Sequence, residues 1–119
     1  MKIKEIRELL NAEVLAGDGH LENDVASACC SDMMSDVLAY VKDQGVLITG
    51  LINPQVIRTA NMMDMLCVVF VRSKTPTDEM LELAKECGIV VMKCDKRAFE
   101  ASGILYSAGL STKLEDENV

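Results

Sequence analysis

Met65-Leu66-Cys67-Val68-Val69-Phe70-Val71 is a run of seven apolar residues with no polar position between them. A strand with one face in water alternates apolar and polar side chains, whereas a strand covered on both faces has no reason to. The run therefore predicts a strand at the centre of a sheet that carries helices on both sides. Just upstream, Asn53-Pro54 pairs a good helix cap with a residue suited to the first helical position, and Val56, Ile57, Ala60 and Met63 fall on one helical face. Downstream, Thr77 caps a helix with Asp78 and Glu79 in its first turn, where negative charge suits the helix dipole. Its inward residues are Met80, Leu83, Ala84 and Cys87, and Gly88 ends it. Residues 89–92 read as a strand. Asp95 is then expected to cap a last helix whose inner stripe is Ala98, Ala101, Ser102 and Leu105, with Gly109 as terminator.

Toward the N-terminus the same grammar holds. Residues 46–49 read as a strand that Gly50 turns out of. Before it, Ser31 is expected to cap a helix with Met34, Val37, Leu38 and Val41 inside, stopped by Gly45. Ile3, Ile6 and Leu10 form an i, i+3, i+7 stripe for an opening helix. Two short strands are expected at 12–16 and 25–29, with Gly17-Asp18-Gly19 turning between them. From residue 25 onward strand and helix alternate four times. The prediction is a single three-layer α/β domain with a mostly parallel sheet of about five strands, joined by right-handed crossovers. Residues 1–110 make up this domain, and 111–119, with Glu115-Asp116-Glu117, read as a solvated acidic tail.

Composition narrows the function. The chain has 119 residues, the size of one domain with one core. Half of them are apolar, yet the aromatics are only Phe70, Phe99, Tyr40 and Tyr106, so packing rests on aliphatic side chains. Nineteen acidic against twelve basic residues give a charge of −7, which repels a phosphate backbone, so nucleic acid is not an expected partner. No apolar run approaches the roughly 18 residues of a membrane span, and no membrane partner is expected. Cys29, Cys30, Cys67, Cys87 and Cys94 form an odd set scattered through apolar stretches, which fits a reducing, cytoplasmic setting.

No catalytic constellation emerges. His20 follows a glycine-rich turn with nothing to mark a nucleophile or an orienting acid, so it reads as an ordinary loop histidine. The cysteine spacings match neither zinc nor thioredoxin-like patterns. They suit small buried hydrophobes, with oxidation of Cys30 as the alternative if it sits at a helix N-terminus. A thiol enzyme built on Cys30 lacks a nameable base. Arg72-Ser73-Lys74-Thr75 has a Lys before a Thr but lacks the glycines of a phosphate-wrapping loop, and Gly17-Asp18-Gly19 is no dinucleotide fingerprint. The reading is a non-enzyme without cofactor or metal.

Architecture supplies one candidate site. Open parallel sheets bind ligands beyond the carboxyl ends of their strands, where helix N-termini present free amides. Those loops hold Ser31, Asp32, Thr49, Gly50, Asn53, Arg72, Ser73 and Lys74, a set suited to a small anion such as a phosphate or nucleotide. Ordinary caps and turns are the competing account of the same residues. The eight methionines fit either soft core filler or an adaptable surface. Met34 and Met63 fall on inward stripes and Met33 and Met62 do not, so the latter two are candidates for self-association.

Three segments in register carry a family resemblance: Cys30-Ser31-Asp32-Met33-Met34-Ser35-Asp36-Val37-Leu38-Ala39, then Leu47-Ile48-Thr49-Gly50-Leu51-Ile52-Asn53-Pro54-Gln55-Val56-Ile57-Arg58-Thr59-Ala60, then Phe99-Glu100-Ala101-Ser102-Gly103-Ile104-Leu105-Tyr106. Together they resemble a DRTGG domain, and the pattern is similar to the N-terminal domain of HPr kinase/phosphorylase. The resemblance implies a small α/β domain, often fused to CBS, pyrophosphatase or acetyltransferase-type domains, for which no catalytic role is established and which often serves as a dimerising or regulatory accessory. The family is named for an Asp-Arg and Thr-Gly-Gly signature, where this chain aligns Leu51-Ile52 and Val71-Arg72-Ser73. A ligand site built on that signature is altered here. The expected function is a non-catalytic regulatory or scaffolding module that forms a homodimer and modulates a partner protein, with a small anionic metabolite as its input. The alternative is a nucleotide or phosphometabolite sensor.

Overall fold

The computed structural model describes residues 1–40 and 44–111. Val41, expected on the inner face of the second helix, and the tail from 112 onward lie outside the described residues. The elements are α1 (Ile3–Leu10), β1 (Glu13–Ala16), β2 (Ser27–Cys30), α2 (Met34–Tyr40), β3 (Gly45–Thr49), α3 (Pro54–Met62), β4 (Cys67–Phe70), α4 (Asp78–Cys87), β5 (Val90–Lys93) and α5 (Ala98–Ser107). The strands lie in the order β1-β5-β4-β3-β2, which puts β4, the core of the apolar run, in the middle. β2 to β5 run parallel, with Ser27 opposite Gly45, Val46 opposite Cys67 and Cys67 opposite Val90. β1 closes the far edge antiparallel to β5, with a bulge between Val14 and Ala16. Every residue of β3 and β4 is buried, as two-sided cover requires.

Alternate residues along the strands feed two cores. On one face Val46, Ile48, Val69, Val90 and Met92 pack against Ile3, Ile6 and Leu10 of α1 and Ala101 and Leu105 of α5. On the other, Leu47, Val68, Phe70 and Val91 pack against Val37 of α2, Val56, Ile57 and Ala60 of α3, and Met80 and Ala84 of α4. An eight-residue helix such as α1 is unstable alone. Its three fully buried side chains, Ile3, Ile6 and Leu10, contribute on the order of 1.5–3 kcal/mol each and hold it in place. The caps at Asn53 and Thr77 are as expected: Asn53 Oδ1 accepts from the Gln55 amide at 2.8 Å, and Thr77 Oγ1 accepts from the Met80 amide at 3.2 Å.

Several local expectations are corrected. The strands on either side of Gly17-Asp18-Gly19 do not pair with each other: β1 and β2 lie at opposite edges of the sheet. Gly45 opens β3 opposite Ser27 rather than stopping α2, and Gln44 before it has φ 59°. Leu38 is 41% exposed, and among the described residues of α2 the buried position is taken by Val37. Ser31 acts upstream of α2, where its hydroxyl accepts from the Met33 amide at 3.0 Å. Cys30 ends β2, four residues before α2, and is not at a helix N-terminus. Asp95 is not the cap of α5, which starts after Arg97 without a side-chain cap. The carbonyls of Cys94 and Lys96 instead accept from the amides of Ser73 and Arg72, both at 2.8 Å, and that pairing holds the segment out of the helix.

Candidate functional site

The carboxyl ends of β2, β3 and β4 bring much of the expected set together. Thr49 is the last residue of β3, and its hydroxyl donates to Asp32 Oδ1 at 2.9 Å. The Gly50 amide donates to the same oxygen at 2.8 Å. The hydroxyl of Thr49 also accepts from the Leu51 amide at 3.2 Å, which holds the exit from β3. The Gly50 amide bond holds the Asp32 carboxyl below the usual carboxylate range; partial burial opposes this, and the Thr49 hydroxyl and the charges of Arg72 and Lys74 add to it. The guanidinium of Arg72 lies so close over Gly50 that a β-carbon there would meet Nη2. Asp32, Thr49, Gly50, Arg72 and Lys74 thus form one electrostatic cluster.

The turn after β4 shapes this cluster. Arg72 and Ser73 have φ of 58° and 55°, and the Lys74 amide bonds to the Val71 carbonyl at 3.1 Å. Two consecutive left-handed residues closed by that bond make a type I′ turn, which favours glycine at both central positions. In the resemblance drawn from the sequence, these two positions stand where the family signature has Gly-Gly. The backbone path that glycines adopt without strain is therefore present here with Arg and Ser side chains on it. Leu51-Ile52 is half-buried against the α2–α4 side of the sheet.

The remaining expected residues are engaged locally. Asn53 spends its side-chain oxygen on α3, and Ser31 bonds to Met33. Ser73 joins Arg72, Asp95 and Arg97 around an open depression of about 450 Å³. Neither Asp95 nor Arg97 is among the expected site residues. They follow β5, so the strand-end rule that selected the other loops points to them as well. His20 lies with Asp18, Lys85 and Gly88 around a separate hollow of about 480 Å³. That hollow is at the opposite end of the sheet, where Gly17 abuts Val90, the first residue of β5.

The cysteines do not converge. Burial pushes the thiols of Cys67 and Cys94 up, and Cys29 is raised by burial and by its neighbours Cys30 and Asp36. Among the described residues no group of three His, Cys, Asp or Glu side chains is placed to hold a metal ion. No helix among them is long and apolar enough to cross a membrane.

Comparison with known proteins places this architecture. No curated protein matches the chain. A solved structure, the CBS and DRTGG domains of the regulatory region of Clostridium perfringens pyrophosphatase complexed with its activator diadenosine tetraphosphate, superposes with a TM-score of 0.72 at 18% identity. The superposition covers 99% of this chain and 52% of that one, so the chain spans about half the length of this structural relative. At that identity the likeness establishes the fold. The DRTGG domain model matches residues 5–108, from the first turn of α1 to the end of α5, and over that span this chain belongs to the DRTGG domain family.

Proposed function

We propose that this domain is a non-catalytic regulatory or scaffolding module that self-associates and modulates a partner protein, with a small anionic metabolite as its input. The observation that carries the reading is the Asp32 bridge. An internal carboxylate already takes the Thr49 hydroxyl and the Gly50 amide, the donors an anion would use first at the end of β3. An arrangement whose polar groups satisfy one another suits transmission between strand ends better than turnover of a substrate. The cations Arg72 and Lys74 beside it supply the charge to which an anion responds.

The second reading, a nucleotide or phosphometabolite sensor, draws support from the activator-bound pyrophosphatase region that shares the fold. It also fits the depression flanked by Arg72 and Arg97. Melting temperature is to be measured against a panel of adenine nucleotides, dinucleotides and acyl phosphates. A ligand at a hundred times its dissociation constant stabilises the fold by about 2.7 kcal/mol, a shift of several degrees for a domain of this size. Arg72→Ala is expected to abolish the shift while leaving the unliganded melting temperature within about 2 °C, since exposed substitutions cost little. No shift with any member of the panel sinks the sensor reading. A strictly monomeric species at tens of micromolar by light scattering sinks self-association.

A further inference from the structure

α5 departs from the pattern of a surface helix. Its ten residues, AFEASGILYS, include one charged side chain, Glu100, in a chain of net charge −7. A helix that is apolar around most of its circumference is normally covered around most of it. Ala101 and Leu105 face the sheet and are fully buried. The outer face carries Phe99, 92% exposed, and Tyr106, 72% exposed, so half of the chain's four aromatic residues stand in water on one helix. Gly103 lies between them, and a β-carbon built on it would touch nothing within 4 Å.

We infer that this face of α5 is where a second copy of the chain docks, by an antiparallel α5–α5 contact about a two-fold axis at Gly103. The inference deepens the self-association part of the proposed function and rests on it. The spacing is self-complementary. Phe99 lies four residues before Gly103 and Tyr106 three after, about 6 Å and 4.5 Å along the axis at 1.5 Å per residue. Both lie on the same side of the Gly103 direction at 100° per residue. A two-fold axis perpendicular to the helix reverses the axial direction and preserves the side. It therefore lays each Phe99 ring beside the Tyr106 ring of the other copy, an aromatic pairing. Glu100 and Ser107 are related in the same way on the other flank. Each Glu100 carboxylate then meets a hydroxyl donor, and the two carboxylates stay about 9 Å apart. Gly103 at the crossing lets the helices approach closely.

Area and charge favour a second copy as occupant. The two rings expose roughly 300 Å² per protomer, a substantial part of the ~800 Å² per partner in a standard interface. Leu9, Ile104 and Ala108 line a shallow depression with Phe99 and Gly103 on the Glu100–Ser107 flank and add to that area. Association of two acidic chains is opposed by their net charge and is least opposed at a face that carries a single charge, Glu100, per protomer. The exposed methionines compare poorly: Met33 has Asp32 directly before it and Asp36 three residues after, and Met62 has Arg58 one turn before it and Asp64 two residues after.

The test measures oligomeric state by sedimentation and light scattering for the intact chain, for Gly103→Glu, Phe99→Glu and Met62→Glu, with circular dichroism to confirm that each variant is folded. Gly103→Glu has room in the protomer but sets two carboxylates together on the axis. It is expected to raise the dimer dissociation constant at least tenfold without lowering the melting temperature of the dilute protein. Phe99→Glu is expected to do the same, and Met62→Glu to leave the dimer intact. A wild-type dimer that survives both α5 substitutions overturns this placement and leaves self-association standing. A wild-type chain that is monomeric at tens of micromolar overturns both.

Discussion

Asp32 ties the segment after β2 to the end of β3 through two hydrogen bonds to one oxygen, and that brace is pH-dependent. The folded carboxyl is held below its ordinary range, chiefly by the Gly50 amide. Its contribution is therefore whole above the unfolded carboxylate range and is lost as pH falls through that range to the lowered folded value. Because Asp32 is exposed, solvent screening keeps the contribution modest. Asp32→Asn is expected to cost about 1 kcal/mol at neutral pH and to cost less in acid, as the wild-type carboxyl becomes protonated. Urea denaturation at neutral pH and in acid checks this. A difference that persists unchanged in acid would mean that the charge of Asp32 plays no part. At this scale the sequence was half legible. The strand-end rule selected Thr49, Gly50, Arg72 and Lys74 because any parallel sheet gathers such loops. That Asp32 rather than a ligand occupies the Thr49 and Gly50 donors is a matter of register between β2 and β3, which no local pattern encodes.

At the scale of elements, the helices were legible where a periodic apolar stripe coincided with a side-chain cap, as at Asn53 and Thr77. They were misread where a backbone partner elsewhere in the fold decided the boundary. Asp95 has the chemistry of a cap, yet the carbonyls on either side of it, at Cys94 and Lys96, pair with the Arg72–Ser73 turn and delay α5 to Ala98. The glycine-rich loop after β1 has the composition of a turn, and its larger role, carrying the chain from one edge of the sheet toward the other, has no local signal. Its two glycines differ in consequence. Gly17 has φ +81°, and a β-carbon there would lie 2.8 Å from Val90 Cα, backbone that cannot yield. Gly19 has nothing within 4 Å. Gly17→Ala is expected to destabilise by about 2–4 kcal/mol, through both strain and the displaced start of β5. Gly19→Ala is expected to change stability by no more than about 0.5 kcal/mol. Thermal melts of the two variants side by side test the pair, and equal effects would remove the argument for the Gly17–Val90 contact.

For the whole molecule, the apolar run at 65–71 settled the architecture, since a strand without alternation must be covered twice. Strand order was not legible, because the placement of β1 antiparallel against β5 depends on contacts distant in sequence. The consequence of a central two-sided strand is mechanical unity. Val68 and Val69 are adjacent and fully buried, but Val68 belongs to the core under α2, α3 and α4, and Val69 to the core under α1 and α5. If each core could melt by itself, Val68→Ala would loosen one layer and leave the other. The sheet that both cores require makes that separation costly, because losing either layer exposes one whole face of β3 and β4 to water. Each truncation is therefore expected to cost about 2 kcal/mol in a single cooperative transition with an unchanged denaturant slope. Because the two side chains point to opposite faces and share no core, the double variant is expected to lose the sum of the two within about 0.5 kcal/mol. Urea unfolding followed by circular dichroism, with hydrogen exchange read separately in α1 and α3, decides the matter. Exchange that accelerates in α3 but not in α1 for Val68→Ala would mean that the two layers unfold independently and that β4 is not the element that joins them.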